Sequence, residues 1–532
     1  MFSAPRALLN VRKIVGLRHA KVALNASRFS TTTGANLPLT KIVATIGPAS
    51  EELPILPQVV TAGMRIMRIN FSHATYDEAN LRMTNLQQHS PGLGGKQNLR
   101  AVMLDTQGPE IRTGSFGTDG SIDMTEGKTV VLTTDETFRT SQTEDKLWVS
   151  YKELPSTVSV GSVVLLDDGA VELRVDSVDS ATDLVHCTVV NSGNLGSRKG
   201  VNLPNAKVAL PAMSNKDRED IRWGVQNDID YIAVSFVRKP QDLMDIRTYL
   251  NELYTEFGLP TNHPHPRLIS KIESTEAMDN FDEILEESDG IMVARGDLGV
   301  EIPMEQMANA QKDIVRKSNL AGKPVVVATQ MLESMQKNPR PTRAECTDVA
   351  NAVFDGADCV MLSGESAKGK YPVGAVTMMN KIIRNAEECG GENDVSACPQ
   401  PELGDHDESV AVGVADASRA LDAACIIVLS RTGNLAQKVS KFRPSVPIVT
   451  IVPDSKTGRM LQMYRGIHPV MLQNEADRSK MLSADPTRFA VAIEHTRSLG
   501  FCNSGDNVIV VGADPETETL NTSHFMRVVT VK

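Results

Sequence analysis

The order of apolar runs along the 532 residues predicts an α/β protein: a closed (β/α)8 barrel of the TIM type, an inserted all-β lid domain and a C-terminal α/β domain. Three observations carry this. Eight short β-branched or apolar runs recur, nearly all ending in glycine or polar residues. Most of the intervals between them hold a helical stretch. One interval is far longer than the rest and reads as strands alone.

The runs are Lys41 to Ile46, Arg65 to Ile69, Ala101 to Leu104, Tyr231 to Val234, Arg267 to Ile269, Ile291 to Val293, Val325 to Ala328 and Cys359 to Leu362. The segments that follow them are Gly47-Pro48, Asn70 to His73, Asp105-Thr106, Ser235, Ser270 to Glu273, Ala294 to Asp297, Thr329-Gln330 and Ser363 to Glu365. Ser214 to Gln226 and Glu305 to Asn319 set an apolar stripe among charged residues, as a surface helix does. Strands alternating with helices run parallel. A barrel binds its ligands at the C-terminal strand ends, where these polar residues would converge. An open doubly wound sheet also binds there; the count of eight favours the barrel.

The barrel is expected over residues 36–113 and 211–388. Within 114–210, Lys128 to Thr133, Val163 to Leu166, Val171 to Val175 and Leu184 to Val189 read as strands, with Asp119-Gly120, Glu126-Gly127 and Asp168-Gly169 as turns. A β domain inserted at the catalytic face can serve as a lid that excludes water. Residues 389–408 have the glycine, proline and acid content of a junction, and 389–532 form the C-terminal unit, with strands near Cys425 to Leu429, Ile448 to Ile451 and Val508 to Val511.

Composition narrows the function classes. A formal net charge of -11 argues against a nucleic-acid partner, and no apolar run approaches a membrane span. The seven cysteines are odd in number and contain no CxxC pair, which favours a reducing compartment over a disulfide framework or zinc site. Residues 1–50 contain no Asp or Glu, while Arg6, Arg12, Lys13, Arg18, Lys21 and Arg28 stand among apolar residues before Ser30 to Thr33. That composition predicts an organelle transit peptide over 1–33 and a mitochondrial location; a basic tail on a cytoplasmic enzyme, or a plastid address, is the alternative.

Lys271 and Glu273 lie two apart on a strand and so share a face. With Asp297 at the next strand end they offer two carboxylates beside one lysine, a set suited to a hard divalent cation and a transferring phosphoryl group. Arg68, Arg112 and Lys199 supply positive charge for phosphate. Asn70, Ser72, Asp105 and Thr106 offer neutral oxygens and a single carboxylate, which suits a monovalent cation. Singly, each of these is an ordinary surface charge or turn cap; together at one face they make a site.

Seven segments, Thr40 to Ser50, Arg68 to His73, Asp105 to Thr113, Ser270 to Glu273, Met292 to Pro303, Ala328 to Met335 and Met361 to Ser366, closely resemble pyruvate kinase, in the family's order. The likeness covers about residues 38–532. It implies phosphoryl transfer from phosphoenolpyruvate to ADP in glycolysis, giving pyruvate and ATP, with Mg2+ and K+, in an allosteric homotetramer. It further implies that Lys271 stabilises the transition state and that Glu273 and Asp297 hold Mg2+. Gly296, Asp297 and Thr329 would meet the pyruvate end and Arg68 the substrate phosphate. Asn70, Ser72, Asp105 and Thr106 would hold K+, and Asn70, Phe71, Ser72, His73, Arg112 and Lys199 would line the nucleotide site. Glu110 matches the residue type that accompanies potassium dependence.

Two departures stand out. Gln107 occupies a position where the family usually has lysine, which predicts weaker nucleotide binding rather than lost chemistry. In the C-terminal domain, Ser430, Thr432, Gly433 and Asn434 resemble the family's effector-phosphate loop, with hydroxyls and a glycine suited to an anion. The partner segment Ala513 to Thr519 carries three carboxylates, which would repel a sugar bisphosphate. Titration with fructose 1,6-bisphosphate is therefore expected to leave the phosphoenolpyruvate saturation curve unmoved; a strong leftward shift would refute this.

Overall fold

The computed structural model describes residues 37–93, 97–117, 120–179, 182–260, 262–389, 399–481, 487–513 and 524–532. The expected transit segment 1–33 and all but the first residue of the segment 513–519 lie outside them. Eight parallel strands close a barrel in which each pairs with its neighbours in chain order: Lys41–Thr45, Met64–Asn70, Ala101–Asp105, Tyr231–Val234, Arg267–Ile272, Gly290–Ala294, Val325–Ala328 and Cys359–Leu362. Alternation along each strand sorts its side chains. Val43, Ile66, Met103, Ala233, Ile269 and Val326 fill the barrel. Ile42, Ala44, Met67, Leu104, Ile232 and Leu268 pack outward under the helices.

The fifth strand runs to Ile272, three residues past the apolar run, because Ser270 and Lys271 keep their ladder pairing to Ile291 and Met292. Its helices begin as the sequence suggests. Ser214 caps Asn215–Gln226 through a reciprocal bond with Asp217, and the helix Met307–Leu320 follows a short 3-10 turn.

Between the third and fourth barrel strands lie a six-stranded sheet and a two-stranded ribbon. The sheet has its own core around Leu132, Leu147, Val164, Leu173 and Val185. The inserted segment bonds to the barrel at several points, including two from Arg238 to the Val208 and Leu210 carbonyls. Asn202 Nδ2 donates to Glu301 Oε1 at 3.1 Å, and the Asn205 N–H donates to Thr275 Oγ1 at 3.2 Å.

The C-terminal sheet has five strands in the order Ile467–Met471, Ile448–Val452, Cys425–Leu429, Asn507–Ala513, His524–Thr530, with only the last pair antiparallel. The helix His406–Ala420, capped by Asp405, precedes it and begins inside the stretch that the composition reads as a junction. This domain closes the bottom of the barrel. Met463 joins the barrel interior, and Tyr231 donates its hydroxyl to the Met460 carbonyl at 2.7 Å. Around that plug Arg459 pairs with Asp230 at 2.9 Å and Arg443 with Asp358 at 2.9 Å. No described helix is long and apolar enough to cross a membrane.

Lys41, Arg65, Arg100 and His468 are all buried near this junction. Burial, reinforced by the other three cations, pushes the His468 imidazole well below its ordinary 6.5. Folded His468 therefore stays neutral while the unfolded chain takes up a proton. Its contribution is intact above about pH 6.5 and falls by about 1.4 kcal/mol for each pH unit below that, until the folded pKa is reached. Urea unfolding of wild type and His468→Leu at pH 7.5 and pH 5.5 is expected to show a smaller acid loss in the variant. Equal losses would remove His468 as the cause.

Candidate active site

The C-terminal strand ends gather four buried charges. Lys271 projects to the inner side of the fifth strand, two residues beyond Ile269 in the barrel interior. Its Nζ lies 2.7 Å from Ser235 Oγ, 2.8 Å from Glu273 Oε1 and 3.3 Å from Asp105 Oδ1. Burial opposes its charge, but Asp105, Glu273 and Asp297 outweigh it and hold the ammonium above its ordinary pKa. Arg68 Nε donates to Asp105 Oδ2 at 2.6 Å and its Nη1 to Thr45 Oγ1 at 2.8 Å. Burial alone would raise the Asp105 pKa; Arg68 and Lys271 bring it below the ordinary value.

Glu273 is less well compensated. Its Oε2 accepts the Phe236 N–H at 2.6 Å, whereas Oε1 is buried with only the ion contact to Lys271 and no aligned hydrogen bond. Burial, with Asp297 adding to it against Lys271, pushes the carboxyl up to about 7. Asp297 stands in the first turn of the helix Arg295–Glu301. A buried, under-bonded carboxylate oxygen beside a second carboxylate is a donor set that a hard, oxygen-seeking cation would complete.

Gly296 and Thr329 meet directly: a Cβ on Gly296 would come within 2.9 Å of Thr329 Cγ2. Thr329 and Gln330 both take left-handed backbone angles, with φ of 76° and 55°. For a β-branched residue that conformation is strained. Arg295 holds it in place. Its Nη2 donates to the Thr329 carbonyl at 2.7 Å, and its two Nη atoms each lie 2.7 Å from one oxygen of Asp348.

The second and third strand ends lie side by side, with Asn70 paired to Asp105. Asn70 Oδ1 accepts the Ser72 N–H at 3.1 Å, and the Thr106 carbonyl accepts Ser235 Oγ at 2.6 Å. His73 is exposed at the rim. The Phe71 ring is buried 5.1 Å from that of Trp223, and its N–H bonds to the Asp105 carbonyl. It serves as packing beneath the loop. Arg112 pairs with Glu110 and Lys199 with Asp167, so both cations stand charge-balanced where the chain enters and leaves the lid. Gln107 is half-buried in the same entry loop.

Ser430, Thr432, Gly433 and Asn434 lie apart from this mouth, in the loop after Cys425–Leu429. There Ser430 Oγ accepts the Gly433 N–H at 2.9 Å, and Gly433 has a φ of 85°.

Three residues near the site carry no chemical signal in the sequence. Ser235 is a lone strand-end serine, Arg295 is hidden in a glycine-containing turn, and Asp168 looks like half of an Asp-Gly turn. In the structure Asp168 has its pKa raised by burial and then by Asp297 and Asp167, and a Cβ on the adjoining Gly169 would lie 3.9 Å from Val300 Cγ1 in the helix Arg295–Glu301.

The closed barrel, with its inserted β domain and C-terminal α/β domain, matches a family of phosphotransferases. The family model for the pyruvate kinase barrel domain matches residues 37–376, and that for the pyruvate kinase alpha/beta domain matches residues 408–529. The chain is 40% identical over 491 residues to the pyruvate kinase of Staphylococcus aureus strain MRSA252, covering 92% of this chain and 80% of that one. It is 41% identical over 484 residues to the pyruvate kinase of Bacillus licheniformis, covering 91% and 79%. The solved structure of a pyruvate kinase from Cryptosporidium parvum superposes with a TM-score of 0.83 at 36% identity, covering 94% of this chain and 97% of that one. The chain belongs to the pyruvate kinase family.

Arg295→Lys keeps the charge but loses the planar fork that grips Asp348 and the Thr329 carbonyl at once. Urea unfolding is expected to show a loss of about 1.5–3 kcal/mol, the scale of hydrogen bonds to a charged group. A change under about 0.5 kcal/mol, the range of ordinary surface substitutions, would show that the strained turn holds without it.

Proposed function

We propose that this protein moves the phosphoryl group of phosphoenolpyruvate onto ADP, giving pyruvate and ATP in glycolysis, with dependence on Mg2+ and K+. The observation that carries the reading is the buried Lys271 ammonium, flanked by Asp105, Glu273 and Asp297 at one mouth under a lid. Phosphoryl transfer asks little covalent chemistry of a protein and depends on positioning and charge.

In this reading Glu273 and Asp297 hold Mg2+, and the under-bonded Glu273 Oε1 supports that role. When bound, the cation supplies positive charge to the substrate oxygens. Lys271 stabilises the transferring group. Arg68, aimed by Asp105 and Thr45, has further N–H donors for the substrate phosphate. Gly296 gives close backbone approach, and Thr329 presents its hydroxyl at the pyruvate end. Asn70, Ser72, Asp105 and Thr106 hold K+. Asn70, Phe71, Ser72 and His73, with Arg112 and Lys199, take the nucleotide, and the Asn202–Glu301 contact supports a lid that closes over it. The resemblance to the family supports a homotetramer in this reading. The import role for residues 1–33 rests on their composition, with cytoplasm or plastid as the alternative locations.

The test is pyruvate formation from phosphoenolpyruvate and ADP with Mg2+, in matched K+ and Na+ buffers, for the full chain and Lys271→Met. Strong turnover in K+ alone, reduced about a hundredfold or more in the variant, is expected. Equal turnover in both buffers would remove the potassium assignment. No turnover in either, with phosphoenolpyruvate still bound, would turn the reading to a metabolite sensor.

A further inference from the structure

Ser235 follows the fourth barrel strand and carries none of the roles above. It is buried, and it combines contacts to both halves of the mouth. Lys271 Nζ donates to its Oγ at 2.7 Å. The hydroxyl donates in turn to the Thr106 carbonyl at 2.6 Å, and the Ser235 N–H donates to Thr106 Oγ1 at 3.1 Å. Asp105 Oδ1 lies 3.4 Å from the same hydroxyl. A hydroxyl has one proton and two lone pairs. The short bond to the carbonyl uses the proton and turns a lone pair toward the ammonium.

The other two neighbours of Lys271 are carboxylates, Glu273 and Asp105, and each has a cation role in the reading proposed above. A carboxylate that turns to a cation or a substrate loosens its hold on the lysine. Ser235 is the neutral acceptor, with no such competing role, and its contact is the shortest of the three. The next residue strengthens the arrangement. Phe236 takes a left-handed φ of 55° and points its N–H at Glu273 Oε2, so one two-residue turn grips both Lys271 and Glu273. Gly108 closes over this turn: a Cβ there would meet Ser235 Cβ and Phe236 Cδ2, each at 2.8 Å.

We propose that Ser235 is a positioning residue: its hydroxyl fixes the Lys271 ammonium and ties it to the Thr106 carbonyl of the monovalent-cation site. Placement of the ammonium and order at the cation site then depend on one oxygen. This rests on the roles proposed for Lys271 and Thr106.

The test uses full-length Ser235→Ala and Ser235→Cys. Cysteine keeps the shape of serine but is a weak acceptor, so it separates hydrogen bonding from packing, and it decides the matter if the alanine variant fails to fold. For each protein, kcat and the phosphoenolpyruvate KM are measured at saturating K+, and cation binding is read without turnover from the 205Tl resonance of added Tl+. Both variants are expected to lose about 10- to 100-fold in kcat while KM moves by less than about threefold, the split left by a lost transition-state contact. Both are also expected to bind Tl+ more weakly. A cysteine variant with wild-type kcat and wild-type Tl+ binding overturns the proposal, leaving Ser235 as packing. If wild type is indifferent to K+, or Lys271→Met stays fully active, the underlying reading falls and this inference with it. If wild type meets both conditions and Ser235→Cys is unchanged, the inference alone fails.

Discussion

Arg68, Lys271, Asp105 and Glu273 are buried together at the barrel mouth, and most of the local structure follows from keeping them balanced. Removing one partner of a buried ion pair costs about 3–5 kcal/mol, because the other charge is left without compensation. Balance requires the first, second, third and fifth strand ends to arrive at one height. The register provides this: Thr45 lies beside Arg68, and Asn70 beside Asp105. It also requires neutral donors and acceptors for the remaining lone pairs and protons, which Thr45, Ser235 and the Phe236 N–H supply. Glu273 Oε1 is the point at which the balance stays incomplete, and the negative charge of Asp297 adds to the imbalance.

The barrel separates this charged end from its opposite end. At the top the inserted sheet rests on the helix after the sixth strand. At the bottom the C-terminal domain inserts Met463 and binds the Tyr231 hydroxyl. The two neighbouring domains therefore engage the barrel at opposite rims. Barrel folds in general place chemistry at the C-terminal rim and stability at the N-terminal rim, and the buried cations around His468 lie at the latter.

Much of this was legible in the sequence. The barrel strands announced themselves because a strand covered on both faces must be apolar throughout, and four-residue runs such as Val325–Ala328 coincide with the strands found. Strand ends were harder. Polarity rises at Ser270 while the ladder continues to Ile272, since a polar side chain at the mouth is no obstacle to backbone pairing. The charged site residues were readable through their types and through their resemblance to the family. Ser235 and Arg295 were not, because their importance lies in contacts across 36 and 34 residues of chain respectively, which no local pattern encodes. The packing of the Phe71 ring against Trp223 was equally hidden, since it joins residues 152 positions apart.

The backbone at Thr329 has a consequence for how this sequence should vary. Glycine adopts a φ near 76° without steric penalty, and threonine does not. A chain shaped for thermal stability alone would place glycine there and dispense with the Arg295 clamp. That a branched, hydroxyl-bearing side chain occupies the position makes it a local optimum of a different quantity. A search for hardier variants that scores only folding energy would erode this strand end.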